Sequence, residues 1–385
     1  MRKIMRKITE VFYMGEYKPP FTLTSFHLNF HPVHYCYADR TGNLTAEAVG
    51  VVKGEKYFPV FDGGMVFKPL TKSKPFSTPL FAYAEVFWSE VIRGYFVEAP
   101  QYRLAFCEGY EKEVPKYYDY GTVSPLLYQA GESLLNLLEF FRMYPDEKVD
   151  IDQYVNYCQM FYDYTTIFEA TYFQEHPQIA KELAMQVLLS ILKGDQNYHY
   201  ENVAFLCGAD GEIHGMAPMI DHEFSTCFMF PDDPVEHLYW FGQLQRSIEG
   251  REAEAHEFDF LSRPEERALM EKSVMCLHRN LSYIREHYPD VTAVFLEKLR
   301  RLDADLAEHP EAFYLQKAAD YPDKANSYAY RIGKARYKDQ DEEQAKRLEA
   351  QYAGKEKKID FVRVSRDAVH EIRLVIFQLR DILEG

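Results

Sequence analysis

The rhythm of apolar and polar positions changes near residue 120. Before it, short runs rich in Val, Phe and Tyr occur at Phe26–Phe30, Val33–Tyr37, Lys56–Phe61, Met65–Leu70 and Tyr102–Cys107. Turn-forming clusters divide them, at Asp39 to Asn43, Lys53-Gly54 and Asp62-Gly63-Gly64. Aromatic and β-branched runs bounded by such residues predict strands. One helix is predicted among them, over Ala82–Gly94. After about residue 121 the spacing turns helical. Leu126–Phe141 and Ile151–Tyr162 read as helices, and Gln178–Lys193 is the clearest of all. There Ile179, Leu183, Val187 and Ile191 recur every fourth residue, with Ala184 and Leu188 beside them. Pro177 sits at the start and Gly194 just past the end, the usual asymmetry of helix termini.

Beyond that helix, Val203–Cys207 and Glu212–Met216 flank Gly208-Ala209-Asp210-Gly211, which predicts a β-hairpin. Helical spacing returns over about 234–249, 263–287 and 290–308. Residues 338–357 are polar and charged, suited to a solvated helix or a linker. Ser365–Leu383 carries Val369, Ile372, Ile376 and Leu379 on one face and should dock on the body or on a partner. No internal repeat or low-complexity tract is present. The pattern predicts an α+β fold in three parts: a β-rich part over 1–110, a mainly helical part over 111–310 with one hairpin, and a helical extension over 311–385.

Composition narrows the class. At 385 residues and 47% hydrophobic, the chain has material for a sizeable core. Thirty Tyr and 28 Phe point to aromatic-rich cores or clefts. The net charge of −16 argues against general nucleic-acid binding, where phosphate contacts dominate affinity. The N-terminal MRKIMRKITEVFYMGEY lacks an apolar stretch of signal-peptide length, and no run is long enough to span a bilayer. The six cysteines, at 36, 107, 158, 207, 227 and 276, show no CxxC spacing and read as reduced thiols. Together these predict a soluble cytoplasmic protein without a membrane partner.

The stretch GDQNYHYENVAFL, residues 194–206, holds the candidate chemistry. It places Asp195, Asn197, His199, Glu201 and Asn202 between the end of a buried helix and the first strand of the hairpin. Asn202 precedes the outgoing strand, and Asp221 in Ala217-Pro218-Met219-Ile220-Asp221 follows the returning one. A hairpin brings these ends together, so a carboxamide and a carboxylate meet at its base. Such hard oxygen ligands suit Mg²⁺ carrying nucleotide phosphates. Equally, Asn202 can cap a turn and Asp221 the next element. Position 197 and Asn202 lie five apart, and Asp221 comes after further strand structure, as in protein kinases. Upstream, Met65-Val66-Phe67-Lys68-Pro69 supplies a strand-end lysine, and Ala84-Glu85-Val86-Phe87 a helix carboxylate, with Glu90 as a second choice.

In these motifs the chain resembles the HipA-like serine/threonine kinases, whose catalytic stretch reads roughly G-N-x-D-x-H-x-x-N, then a hairpin, then A-P-x-x-D. Here the match is Gly194-Asp195-Gln196-Asn197-Tyr198-His199-Tyr200-Glu201-Asn202, then Ala217-Pro218-Met219-Ile220-Asp221. The resemblance is specific over 194–225 and extends to 65–110. It implies a two-lobed protein-kinase-like fold with a β-rich N-lobe, a mainly helical C-lobe and a helical C-terminal extension. It implies ATP and Mg²⁺ as cofactors, with Lys68 on the α/β-phosphates, Glu85 orienting it, and Asn202 and Asp221 holding Mg²⁺. His199 would brace the loop, Thr41 and Gly42 would form a phosphate-contacting loop, and Phe106-Cys107-Glu108-Gly109 would face adenine as a hinge. The phosphoacceptor would be a Ser or Thr hydroxyl of a protein, and an antitoxin-like partner is implied for the toxin-type members. Autophosphorylation at Thr41, Thr45 or Ser73 follows as a further expectation.

One departure matters. The catalytic Asp of the pattern falls on Asn197, and its preceding Asn falls on Asp195. Three readings follow. Asp195 serves as the acid/base group from two residues earlier; or Asn197 only positions the substrate; or the protein is a nucleotide-binding pseudokinase or regulatory module. A small-molecule kinase with Tyr154–Tyr172 lining its pocket, and a zinc site of His199, His214 and His222, are the remaining alternatives.

Overall fold

A computed structural model describes residues 26, 28–36, 48–52, 58–61, 65–69, 78–111, 114–125, 132–151, 161–229, 234–251, 275–325, 342–352, 354 and 357–385. The chain is a mixed α+β protein. Its larger sheet is built from β1 (Val33–Cys36), β2 (Ala48–Val52), β3 (Phe58–Phe61), β4 (Met65–Pro69), β5 (Arg103–Glu111) and β6 (Val114–Pro125), in the order β1-β5-β6-β4-β3-β2. All pairings are antiparallel except that of β1 with β5. Helix α1 (Pro79–Tyr95) connects β4 to β5 and packs on β5 and β6. Thr78 starts it, its hydroxyl accepting the Leu80 N–H, with Pro79 in the first turn where no donor is needed. Nearly every residue of α1 is buried, which is why its sequence is apolar all round rather than striped.

A second, three-stranded sheet pairs β7 (Ser133–Asn136) with β8 (Ala204–Cys207) and β8 with β9 (Ile213–Met216). Around it lie α2 (Leu137–Met143), α3 (Thr165–Glu169), α4 (Thr171–Glu175) and α5 (Pro177–Lys193). Helices α6 (Pro234–Glu249), α7 (Cys276–His287) and α8 (Pro289–Glu308) follow. The ribbon β10 (Lys324–Ala325) with β11 (Lys357–Lys358), α9 (Glu342–Tyr352) and α10 (Phe361–Glu384) complete the chain. The expected apolar stripe of α10 is buried, with Val369, Ile372, Ile376 and Leu379 packed against the body of the protein. Among the described residues, no helix is long and apolar enough to cross a membrane.

Three elements differ from the sequence pattern. At 26 and 28–30 no strand forms; Phe26, Leu28 and Phe30 are buried by side-chain packing, Phe26 on Tyr95 and Phe313 and Phe30 on Tyr83. Alternating apolar residues here serve a helix surface rather than a ladder. Residues 114–125 form a central strand, because both β4 and β5 pair with it, so the sheet runs past residue 110 to Pro125. The stretch expected as one helix over 126–141 contains strand β7 before Leu137, drawn into a ladder by β8. The helix starts only where Asn136 accepts the Glu139 N–H as its cap. The polar stretch 338–357, suited to a solvated helix or a linker, contains the helix α9. The predicted helix over 151–162 and the first half of that over 263–287 lie largely outside the described residues, as does Asp39–Thr45.

Candidate functional site

Helix α5 ends at Gly194, which takes the left-handed conformation at φ 59°. A side chain there would be strained, and its Cβ would come within 2.5 Å of Leu244 and 2.8 Å of the Thr226 hydroxyl. The loop that follows is fastened from below. Thr226 Oγ1 donates to Gly194 O (2.7 Å) and Ser225 Oγ to Lys193 O (2.8 Å). Ser225 in turn accepts the Trp88 indole N–H at 2.7 Å, which ties the loop to α1.

Above this anchor the hairpin β8–β9 brings Asn202 and Asp221 together. The Asn202 side-chain amide donates to Asp221 Oδ2 (3.0 Å) and to Asn197 O (2.8 Å). Asn197 Nδ2 donates to the same Asp221 Oδ2 at 2.8 Å. Asp221 has φ 61°, a region rare for residues other than glycine and best tolerated by Asn and Asp. The other Asp221 oxygen meets Lys68 from β4. Lys68 Nζ also lies 2.5 Å from Glu85 Oε1 on α1 and 3.2 Å from Glu223 Oε2. Three elements distant in sequence therefore meet at one ammonium.

Electrostatics follow from this packing. Burial disfavours the Lys68 charge, but Asp221 and Glu85 outweigh it and hold the ammonium above the ordinary lysine value. Tyr102 packs beside the group, and burial, with the Glu85 carboxylate, raises its phenol well above the usual value. One ammonium is thus shared among three acidic side chains. The nearest carboxylate oxygens of Glu85, Asp221 and Glu223 lie within 4.8 Å of one another, and among the described residues they are the group with metal-ligand spacing. Hard, clustered oxygens fit a cation such as Mg²⁺.

Asp195 takes no part in this cluster. Its side chain is 2% exposed, its Oδ2 lies 2.6 Å from Lys193 Nζ, and its Oδ1 accepts the Asn197 N–H at 2.9 Å. Burial pushes its carboxyl up, against the pull of Lys193. The expectation that Asp195 bends toward the substrate side is corrected here: the buried cation on the preceding helix turn draws it inward. Lys193, fully buried, also donates to His222 Nδ1 at 2.8 Å. An imidazole that accepts there carries its proton on Nε2, and burial together with the Lys193 charge keeps His222 neutral.

The other candidates separate. His199 Nδ1 accepts the Glu201 N–H at 3.2 Å and its ring lies edge-on to Tyr162, outside the acidic cluster. His214 pairs with Asp210, so His199, His214 and His222 do not converge as zinc ligands. Of the segment Phe106–Gly109 expected to face adenine, Phe106, Cys107 and Glu108 pair with both β1 and β6, while Gly109 pairs with Tyr117 of β6. Of the aromatic segment Tyr154–Tyr172, the described Phe161, Tyr162, Tyr164 and Phe168 are core residues, and Tyr172 lines a groove that includes no residue of the Lys68 cluster. Glu90 ion-pairs with Arg93. Thr41, Gly42, Thr45 and Ser73 lie outside the described residues.

Sequence reasoning missed Glu223, Lys193, His222 in its actual role, and Trp88. Only Glu223 left a signal, the acidic alternation Asp221-His222-Glu223.

No protein-family model matches the chain, and no curated protein matches it. Among solved structures the chain is similar to the crystal structure of a Helicobacter pylori proinflammatory kinase, CtkA, at 9% identity and a TM-score of 0.39, over 89% of this chain and 98% of that one.

Proposed function

We propose that the protein is an ATP- and Mg²⁺-dependent kinase that transfers the γ-phosphoryl group to a serine or threonine hydroxyl of a protein. The observation that supports it is the convergence of Lys68, Glu85 and Asp221 at one point, with Asn202 and Asn197 on the far oxygen of Asp221. Kinases use a strand lysine, a helix glutamate and a metal-binding carboxylate in these relative positions. In this reading the six-stranded sheet with α1 is the N-lobe, the part from β7 onward is the C-lobe, and α9 with α10 forms the extension. A protein substrate, or an antitoxin-like partner, is the partner class that goes with it.

The donor set fits a divalent cation: Asp221 offers a carboxylate, and a turn of the Asn202 carboxamide presents its oxygen beside it. When bound, Mg²⁺ would neutralise charge on the nucleotide phosphates. An incoming phosphate competes with Asp221 for Lys68, and Glu85 keeps the ammonium aimed while Asp221 is released. Asn197 spends its Nδ2 on Asp221, so its Oδ1 is the atom that accepts the substrate hydroxyl proton in a hydrogen bond. It cannot take that proton, so transfer rests on positioning and electrostatics, which dominate phosphoryl transfer.

A second reading is favoured by one specific observation. Asp195 is buried and committed to Lys193, so the loop offers no carboxylate base beside Asn197. That suits a nucleotide-binding protein that transfers nothing.

Incorporation of label from γ-labelled ATP, alongside calorimetric ATP binding, separates the two. The kinase reading expects incorporation that Lys68→Met abolishes and Asn197→Asp raises about tenfold or more, the scale of a general base. ATP binding without incorporation in either the wild type or Asn197→Asp supports the second reading. Absence of Mg²⁺-dependent ATP binding would sink both.

A further inference from the structure

A groove of about 550 Å³ opens at the turn end of the β8–β9 hairpin, the opposite end from Asn202 and Asp221. Its walls come from the end of α2, the turn at Asp146, helix α4 and the hairpin turn at Glu212. The floor is aromatic: Phe140 is buried beneath it, Tyr172 meets Phe140 and Phe205 at steep angles, and His176 stacks on the Tyr172 ring at 4.2 Å. Tyr144, at the C-terminal end of α2, is 58% exposed, and the adjacent Met143 is exposed as well. Large apolar side chains left in water beside a concave surface mark contact sites.

The charge on this groove has one sign. Asp146, Glu175 and Glu212 line it together with His176, and among the described residues no lysine or arginine does. Lys148, two residues from Asp146, donates to the Glu169 carbonyl at 2.8 Å. Asp146 is fixed in place, with Oδ1 accepting the Lys148 N–H and Oδ2 the Thr171 N–H. Those bonds also hold it ionised. Glu212 stands close enough to Tyr172 to help burial push that phenol up to about 12. An aromatic floor ringed by carboxylates is the surface that a guanidinium recognises, since arginine lies flat on an aromatic face while its donors fork to carboxylates.

We propose that this groove docks an arginine-bearing segment of a partner protein, with the guanidinium against the exposed Tyr144 and its donors on Glu175 and Glu212. Charge complementarity selects this occupant over an acidic or purely apolar one. The inference does not depend on phosphoryl transfer, because none of these residues belongs to the Lys68 cluster.

The test is fluorescence anisotropy of the full chain with a labelled peptide, acetyl-Gly-Arg-Ala-Arg-Gly-amide, against the same peptide with citrulline at both arginine positions. The arginine peptide should bind saturably and the citrulline peptide at least about tenfold more weakly, the scale of one desolvated cation–π contact plus an ion pair. Glu175→Lys/Glu212→Lys and Tyr144→Ala should each weaken binding by a similar factor. Glu297→Lys/Glu308→Lys, which changes net charge equally on exposed positions of α8, should leave it within about twofold, as expected of screened remote charges. Equal binding of both peptides, or equal loss from the two charge reversals, overturns the proposal in favour of nonspecific attraction to an acidic protein. Binding that appears only on deleting residues 1–10, which carry Arg2, Lys3, Arg6 and Lys7, overturns it in favour of the chain's own N-terminus as occupant. Sedimentation of the unliganded protein as a dimer that Glu175→Lys/Glu212→Lys dissociates overturns it in favour of a second copy.

Discussion

Two lysines sit close together at the centre of this molecule and do opposite things. Lys193 is sealed in, matched by one carboxylate, Asp195, and by the lone pair of a neutral imidazole, His222. Lys68 stands at the edge of the interior and is outnumbered by Glu85, Asp221 and Glu223. The first arrangement is closed: its charges cancel and nothing further can bind. The second gathers three acidic side chains around one lysine, partly exposed at Lys68 and Asp221, with the spacing of metal ligands. A buried pair of equal charge holds a loop in place, whereas an unequal cluster is a site waiting for a partner.

The strongest way to break this contrast is Lys193→Met. It strands the Asp195 carboxylate in the interior and should cost about 3–5 kcal/mol of stability in urea unfolding. Lys193→Met/Asp195→Leu removes both charges and should recover most of that loss; a double variant as weak as the single one would show that the pair is not a closed unit.

Glu182 sharpens the contrast as a buried carboxylate with no cation. Burial raises its pKa to about 7, despite the Met216 N–H that it accepts. The native state therefore binds this proton more tightly than the unfolded chain, whose value is the ordinary 4.5. Its contribution is complete below pH 4.5 and is lost as pH rises through about 7. Over that range it amounts to roughly 3 kcal/mol. Glu182→Gln should flatten this part of the pH–stability curve and leave the variant more stable than wild type above pH 7, read by thermal melting.

On the open side, Lys68→Met takes the ammonium away from the fully buried Glu85 and Glu223 and should cost about 3 kcal/mol. Millimolar Mg²⁺ should raise the melting temperature of this variant by more than that of wild type, because a cation now replaces the ammonium. Equal Mg²⁺ responses would argue against a cation site at the cluster. The smallest effect expected is that of Trp88→Phe, which drops the indole bond to Ser225 and should cost about 1 kcal/mol, with no change in Mg²⁺ response.

Much of the site was legible in the primary structure. The helix ending at Gly194 and the hairpin that brings Asn202 to Asp221 follow from local spacing and turn chemistry, whereas Lys68 and Glu85 were picked out by the order of groups a kinase uses. These are short-range signals, and a glycine after a four-residue apolar repeat has few other meanings. The sheet was less legible. Val114–Pro125 looked like a connection because its polar and aromatic residues fit a strand only once β4 and β5 flank it. Strand β7 was hidden in a helical pattern for the same reason.

The exchange of Asp195 and Asn197 shows where local reading stops. In sequence the two positions look interchangeable, two apart on one extended loop. The fold separates them by burial: Asp195 goes down to Lys193, and Asn197 goes up to Asp221. Hydrophobic period and turn residues determined which elements form and in what order the candidate groups arrive. Which carboxylate faces a cleft and which is spent on an internal cation depended on where a buried ammonium comes to rest, and that is set by packing between segments far apart in the chain.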